Sequence, residues 1–243
     1  MSGLKEAPQS AAIDSTCAFC AVRMHSICAV LTPEQRADLD RMAKRAIVAP
    51  KESLFSQGQP SSRVFNVTEG VVRLYKLLPD GRRQVVGFRT PGDFIGLSAG
   101  DHHALSADAI NRVSICWFQK QAFSRFADDK LALLRKLNEF ANREIAQAHE
   151  RMMLLGRFSA EEKMASFLLG WRERMARLGR RKDDIALPMS RRDIADYLGL
   201  TIETVSRTFT RLEREKVFGV VTGGVRVLNE KRAADLAAAL PPA

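Results

Sequence analysis

No apolar run in this chain approaches the ~20 residues that a membrane-spanning helix needs, so an integral helical membrane protein is excluded and no membrane partner is expected. Met1 to Thr16 mixes polar and small residues without the apolar stretch of a secretion signal, which points to a reducing, cytoplasmic setting. A Ser/His/Asp set, a paired-carboxylate cleft and a Gly-rich phosphate loop are all missing. Without them the usual routes to hydrolysis and group transfer are closed, and an enzyme is not expected. Acidic charge is scarce: 28 Asp and Glu stand against 38 Lys and Arg, leaving +10 at pH 7. Such an excess favours a polyanionic partner.

Cysteine is also sparse, and its placement is uneven. Cys17, Cys20 and Cys28 form C-x2-C-x7-C, and Cys116 stands alone far downstream. In a reducing compartment, thiols grouped this tightly indicate metal or redox chemistry rather than a disulfide staple. Two cysteines separated by two residues can face one metal group, and the longer gap lets the chain curl back with a third sulfur. Cys116 lies in the apolar run Val113-Ser114-Ile115-Cys116-Trp117-Phe118, where a lone cysteine is most simply a small core residue.

With 243 residues, 46% hydrophobic and 27% charged, the chain is long enough for two modest domains. From about Val48 to Ser124 it reads as short strands between turns. Glu69-Gly70, Pro79-Asp80-Gly81 and Pro91-Gly92-Asp93 supply the turn chemistry, and Val71 to Leu77 and Gln84 to Phe88 are strand-like runs. A β-sandwich or roll follows. The period then changes. Leu131, Leu134, Asn138, Ala141, Ile145, Ala148, Met152 and Leu155 recur at steps of three and four, a heptad seam on one long helix that predicts pairing with a second copy of the chain. Ala at two seam positions and Asn at a third make the seam lean, so each such position buries less than Leu would.

Ser190-Arg191-Arg192-Asp193 has the form of a cap followed by an acid, opening a helix through Leu198 that Gly199 ends. Thr201 can cap the next helix, Ile202 to about Lys216. Helix, short glycine-containing turn, helix is a DNA-binding arrangement. Val205, Phe209 and Leu212 are spaced to face the core, while Glu203, Ser206 and Arg207 share another face. Those three side chains suit base edges: Arg207 can donate twice to guanine, Glu203 can accept from cytosine, and Ser206 can serve either role. Val217 to Leu228, with Thr222-Gly223-Gly224 at its middle, reads as a β-hairpin wing. Arg191, Arg192, Arg211 and Arg214 flank the two helices with charge suited to phosphate.

A cysteine cluster, β-roll, pairing helix and winged helix-turn-helix in this order resemble the CRP/FNR superfamily of bacterial transcription regulators, and in particular its oxygen-sensing FNR branch. The segment Asp193 to Arg207, with Glu203, Ser206 and Arg207 in E-x-x-S-R form, is similar to that branch's DNA-reading helix. The stretch from Phe94 through Gly100-Asp101-His102-His103 to Ile115 resembles the part that supplies its fourth cluster ligand. The resemblance implies an α+β fold: an N-terminal antiparallel β-roll of the cyclic-nucleotide-binding jelly-roll kind, a long dimerisation helix and a C-terminal winged helix-turn-helix. The boundaries it implies are 1–30 for the cysteine-rich segment, 31–127 for the roll, 128–156 for the helix and 157–243 for the DNA-binding domain.

It further implies a [4Fe-4S] cluster on Cys17, Cys20, Cys28 and Cys116, and a homodimer joined along the seam. The implied DNA is an inverted repeat resembling TTGAT, four free bases, ATCAA, with Thr201, Thr204, Arg191, Arg192 and Arg211 as backbone contacts. RNA polymerase is the implied protein partner, with the loop from Pro79 to Gln84 as its analogous contact. Gly92-Asp93-Phe94-Ile95-Gly96 is present, but Leu97-Ser98 follows without the glutamate of cyclic-nucleotide binders, and Ser106-Ala107 replaces their phosphate-gripping Arg pair. No cyclic nucleotide is therefore expected, and no haem, because His25, His102, His103 and His149 lack any pattern of axial ligands. Two other readings stay open: a zinc Cys3His site using His25 in the same regulator, and a thiol redox catalyst on Cys17 and Cys20, which the absence of a βαβ pattern disfavours. One departure is Ala148, which stands where family members carry a buried seam acid, so the dimer is expected to separate less readily.

Overall fold

A computed structural model describes residues 17–98, 100–179 and 184–237; the first half of the cysteine-rich segment, residues 1–16, lies outside the described residues. The chain divides into two compact units, Met1–Asn142 and Arg143–Ala243.

In the first unit three short 3-10 turns, Cys17–Phe19, Arg23–His25 and Ile27–Val30, run through the cysteine segment, followed by helix α1, Pro33–Met42. Thr32 and Gln35 close a capping box at its start, with proline in the first turn where its missing N–H costs nothing. Eight strands follow: β1 Lys44–Val48, β2 Ser53–Phe55, β3 Arg63–Glu69, β4 Val72–Leu77, β5 Arg83–Arg89, β6 Phe94–Ile95, β7 Ser106–Ala109 and β8 Val113–Gln119. They form two antiparallel sheets, β1-β8-β3-β6 and β2-β7-β4-β5. Leu54, Phe55, Phe65, Val67, Val72, Leu74, Ile95, Ala107, Ile115 and Trp117 meet between the sheets, which is the expected roll. The expected turns are real: Gly70, Gly81 and Gly92 all take positive φ.

Strand alternation gives the first sheet two different faces. Phe65, Val67, Ile115 and Trp117 point into the roll. Val64, Phe94, Cys116 and Phe118 point the other way, into a second cluster with Ile27, Cys28, Leu31 and Leu39. Helix α2, Lys120–Ala127, and the start of helix α3, Leu131–Arg157, complete that cluster through Phe123, Phe126, Leu133, Leu137 and Phe140. The cysteine segment is therefore packed on the outside of the roll and against the beginning of the long helix.

Gly92 marks where it docks. With φ at +96°, a Cβ there would lie 2.9 Å from the His25 carbonyl oxygen and 3.0 Å from the His25 Cβ. Gly92→Ala is expected to cost at least ~1–2 kcal/mol from the backbone alone, measured by urea unfolding. It should also speed alkylation of Cys28, now buried, as the segment lifts. An unchanged urea midpoint with Cys28 still protected would show that the turn tolerates the methyl group.

The second unit holds the remainder of α3, then α4 Ala160–Arg177, β9 Asp184–Ala186, α5 Arg191–Leu198, α6 Ile202–Arg214, β10 Phe218–Val221, β11 Gly224–Val227 and α7 Glu230–Ala237. The hairpin β10-β11 forms as expected around Thr222 and Gly223, and β9 adds a third strand beside β11. Arg226 and Asp184 tie those two strands at 2.6 Å.

Candidate functional site

The helix-turn-helix is built from its caps inward. Ser190 accepts from the Asp193 amide at 3.2 Å, and the Asp193 carboxylate accepts from the Ser190 amide at 3.0 Å, closing the expected capping box. Gly199 ends α5 in the left-handed conformation at φ +64°. Thr201 then caps α6 by accepting from the Thr204 amide at 3.1 Å. Val205, Phe209 and Leu212 are buried, so the helix turns the opposite face outward. Glu203 and Arg207 are exposed there, with Ser206 half-exposed between them.

The electrostatics of this face suit base edges. The Glu203 backbone amide, then the Thr201 hydroxyl and the nearby Arg207 charge, hold the Glu203 carboxyl below its ordinary pKa, so it presents an acceptor. Ser206, Arg207, Thr210, Arg211 and Arg214 line one shallow depression along the helix. Among the described residues Arg207 and Arg214 have no ion-pair partner, which leaves their donors available. Arg211 differs: its guanidinium pairs with Glu161 at 2.7 Å and Glu215 at 3.0 Å, tying α6 to the first turn of α4. The Arg191 guanidinium lies 4.6 Å from the Phe209 ring centre, while Arg192 is exposed.

The four cysteines form a second centre. Cys28 is buried, and Cys17, Cys20 and Cys116 are partly so. Burial raises the Cys17 thiol to about 12, helped by its hydrogen bond to Asp40, whose Oδ1 accepts from Sγ at 3.3 Å. Burial likewise pushes Cys28 up and Cys116 well up. Cys28 of the N-terminal segment and Cys116 of β8 belong to one apolar cluster, which brings the two chain segments together. Among the described residues no three Cys, His, Asp or Glu side chains converge tightly enough to hold a single metal ion. Thiols are the donor type that iron-sulfur clusters take, and here the N-terminal segment supplies three and β8 the fourth.

Family comparisons agree with this layout. The profile for bacterial regulatory proteins, crp family, matches residues 187–218, and that for the cyclic nucleotide-binding domain matches residues 46–130. The transcriptional activatory protein AadR of Rhodopseudomonas palustris is 52% identical over 90% of this chain and 92% of its own length. The chain belongs to the CRP/FNR family. The nitrogen fixation regulation protein FixK of Bradyrhizobium diazoefficiens is 50% identical over 92% of the chain and 94% of its own. The structure of FixK2 from Bradyrhizobium japonicum matches with a TM-score of 0.75 at 38% identity, covering 80% of this chain and 96% of that one. This CRP/FNR protein is thus a DNA-binding transcription regulator and not an enzyme, with its helix-turn-helix as the DNA-binding element.

The long helix of the CRP/FNR protein treats its seam residues unequally. Leu131, Leu134, Ile145 and Met152 are 60, 41, 53 and 63% exposed. Asn138, Ala141 and Ala148 between them are exposed as well. Leu155 departs from the stripe: it is half-buried, and its Cδ2 lies 3.1 Å from where a Cβ on Gly199 would stand, so it packs on the helix-turn-helix. Arg151, 4.7 Å over the Tyr197 ring, and buried Lys163, which donates to the Leu155 carbonyl at 3.1 Å, fasten the same turn. A heptad pattern cannot show this, because it registers spacing and not which neighbour a residue meets.

Two more groups escaped sequence reading. Asp40, which accepts from Cys17, also pairs with Arg45, and Arg45 stands opposite Cys116 in the β1-β8 register. Their separation in sequence conceals the relation.

Proposed function

We propose that this regulator is oxygen-responsive, holding a [4Fe-4S] cluster on Cys17, Cys20, Cys28 and Cys116. The observation that carries the reading is the shared core: Cys28 and Cys116 pack in one apolar cluster with Leu133, Leu137 and Phe140 of α3. Any rearrangement of the cysteine segment is therefore felt at the start of the long helix. The cluster would supply chemistry that oxygen destroys. Asp40 meanwhile accepts a hydrogen bond from the Cys17 thiol and is itself paired with Arg45. Along α3 the exposed Leu131, Leu134, Ile145 and Met152 form an apolar stripe suited to a second copy of the chain. A homodimer would set two recognition helices about one DNA turn apart, ~34 Å, over an inverted repeat like TTGAT-N4-ATCAA. Glu203, Ser206 and Arg207 would read its bases, and RNA polymerase would respond to the bound dimer at genes needed when oxygen is low. Preference for the dimer is then a population shift biased by the cysteine segment.

The test is the visible spectrum of protein prepared without air, followed together with operator binding as air is admitted. A brown chromophore should bleach as binding falls, and Cys116→Ala should be pale from the start. A colourless wild-type protein, or binding indifferent to bleaching, would overturn the reading.

A further inference from the structure

Asn66 is 4% exposed, and its side-chain oxygen Oδ1 has no hydrogen-bond partner. A buried amide left in this state is costly, and its neighbours Val64, Phe65 and Val67 show that an apolar residue would suit the strand. Its place in the sheet gives the amide a use. Asn66 pairs directly with Cys116 across β3-β8, in a row that runs Arg45, Cys116, Asn66, Phe94 over all four strands. Register partners share a face, with Cβ atoms about 4.5–5.5 Å apart. That face carries Val64, Phe118 and Cys116 into the cluster containing Cys28, whereas Phe65, Val67, Ile115 and Trp117 fill the roll. Asn66 is thus a buried polar group on the cysteine side of the sheet, beside the one sulfur that the roll itself supplies.

A metal-bound sulfur only accepts hydrogen bonds, and an asparagine amide carries two N–H donors at one end. Rotating the amide about its last side-chain bond exchanges its oxygen for that NH2 group. We propose that Asn66 donates an amide N–H to the sulfur of Cys116, or to the inorganic sulfide beside it, when the iron-sulfur group is bound. Asn66 is then a positioning residue that prolongs the cluster's life, since hydrogen bonds to cluster sulfurs tune their potential and outer partners of metal ligands govern retention. This rests on the iron-sulfur reading above.

The experiment compares full-length wild type, Asn66→Leu and Asn66→Asp, each reconstituted without air. Readouts are iron and sulfide content, rate of iron loss to a chelator, reduction potential, and thermal unfolding of the metal-free protein. Asn66→Leu removes an unsatisfied amide, so its metal-free form should unfold no earlier than wild type. Its cluster should lose iron about 10-fold faster and be reduced at a lower potential. Asn66→Asp keeps the shape and, when ionised, can only accept, so above the pH at which it ionises it should fail in the same direction. Wild-type chelator kinetics and potential in Asn66→Leu overturn the assignment alone, as does equal destabilisation of its metal-free and loaded forms, which would mark a packing role. Wild-type protein that takes up no iron and sulfide overturns the cluster reading, and this assignment with it.

Discussion

Arg207→Ala is expected to erase the distinction between operator and unrelated DNA. Arg207 is exposed on the outward face of α6 and has no ion-pair partner among the described residues, so its two-pronged donor set is free for a guanine edge. Losing one such contact costs about 1–3 kcal/mol. A dimer loses it at both half-sites, about 2–6 kcal/mol in all, or roughly 30-fold to over 10,000-fold at 1.4 kcal/mol per decade. Fluorescence anisotropy against an operator duplex and its scrambled counterpart separates this from loss of charge, because a phosphate contact weakens both duplexes alike. The helix should be unaffected, since Val205, Phe209 and Leu212 hold it from the other side. Undiminished preference for the operator would remove Arg207 from the base-reading set.

Leu133→Ala should produce the largest loss of stability among changes to the long helix. Leu133 is fully buried in the cluster that also contains Ile27, Cys28, Phe118 and Phe123. Truncating a buried leucine costs about 2–5 kcal/mol, depending on how far the surroundings collapse into the space. Equilibrium urea unfolding of the first unit's transition would show it, and a loss below about 1 kcal/mol would mean that this core is looser than its burial implies. The same substitution should weaken the dependence of operator binding on the state of the cysteines, because Leu133 is among the side chains that α3 shares with them.

Much of this architecture was legible because it rests on local chemistry. Ser190, Asp193, Gly199 and Thr201 announce two short helices through caps and a left-handed glycine, and the structure places each in that role. Gly223 marks the wing for the same reason, being a turn position at positive φ. The roll was legible as a class but not as a topology, because which strand lies beside which depends on contacts far apart in sequence. Cys116 shows the limit most clearly. Its neighbours Ile115 and Trp117 make it look like one more core residue, the resemblance alone made it a ligand, and the two-faced sheet shows it pointing away from them. Asp40, Arg45 and Asn66 reach the same place from three separate elements, and no spacing rule joins them. Leu155 satisfied the heptad and still found a different neighbour.

The alternation of β8 bears on how such a sensor can change over generations. Ile115 and Trp117 fix the strand's register from inside the roll, and Cys116 contributes little to that core. A single codon exchanging Cys116 for another small residue would therefore remove its thiol without refolding the roll, and the reverse exchange would restore it. A one-residue slip of the strand would instead turn the sulfur into the roll and force a tryptophan into the cysteine cluster. On the proposed reading, sensing is thus a detachable trait: losing or regaining it leaves the scaffold and the recognition helix intact.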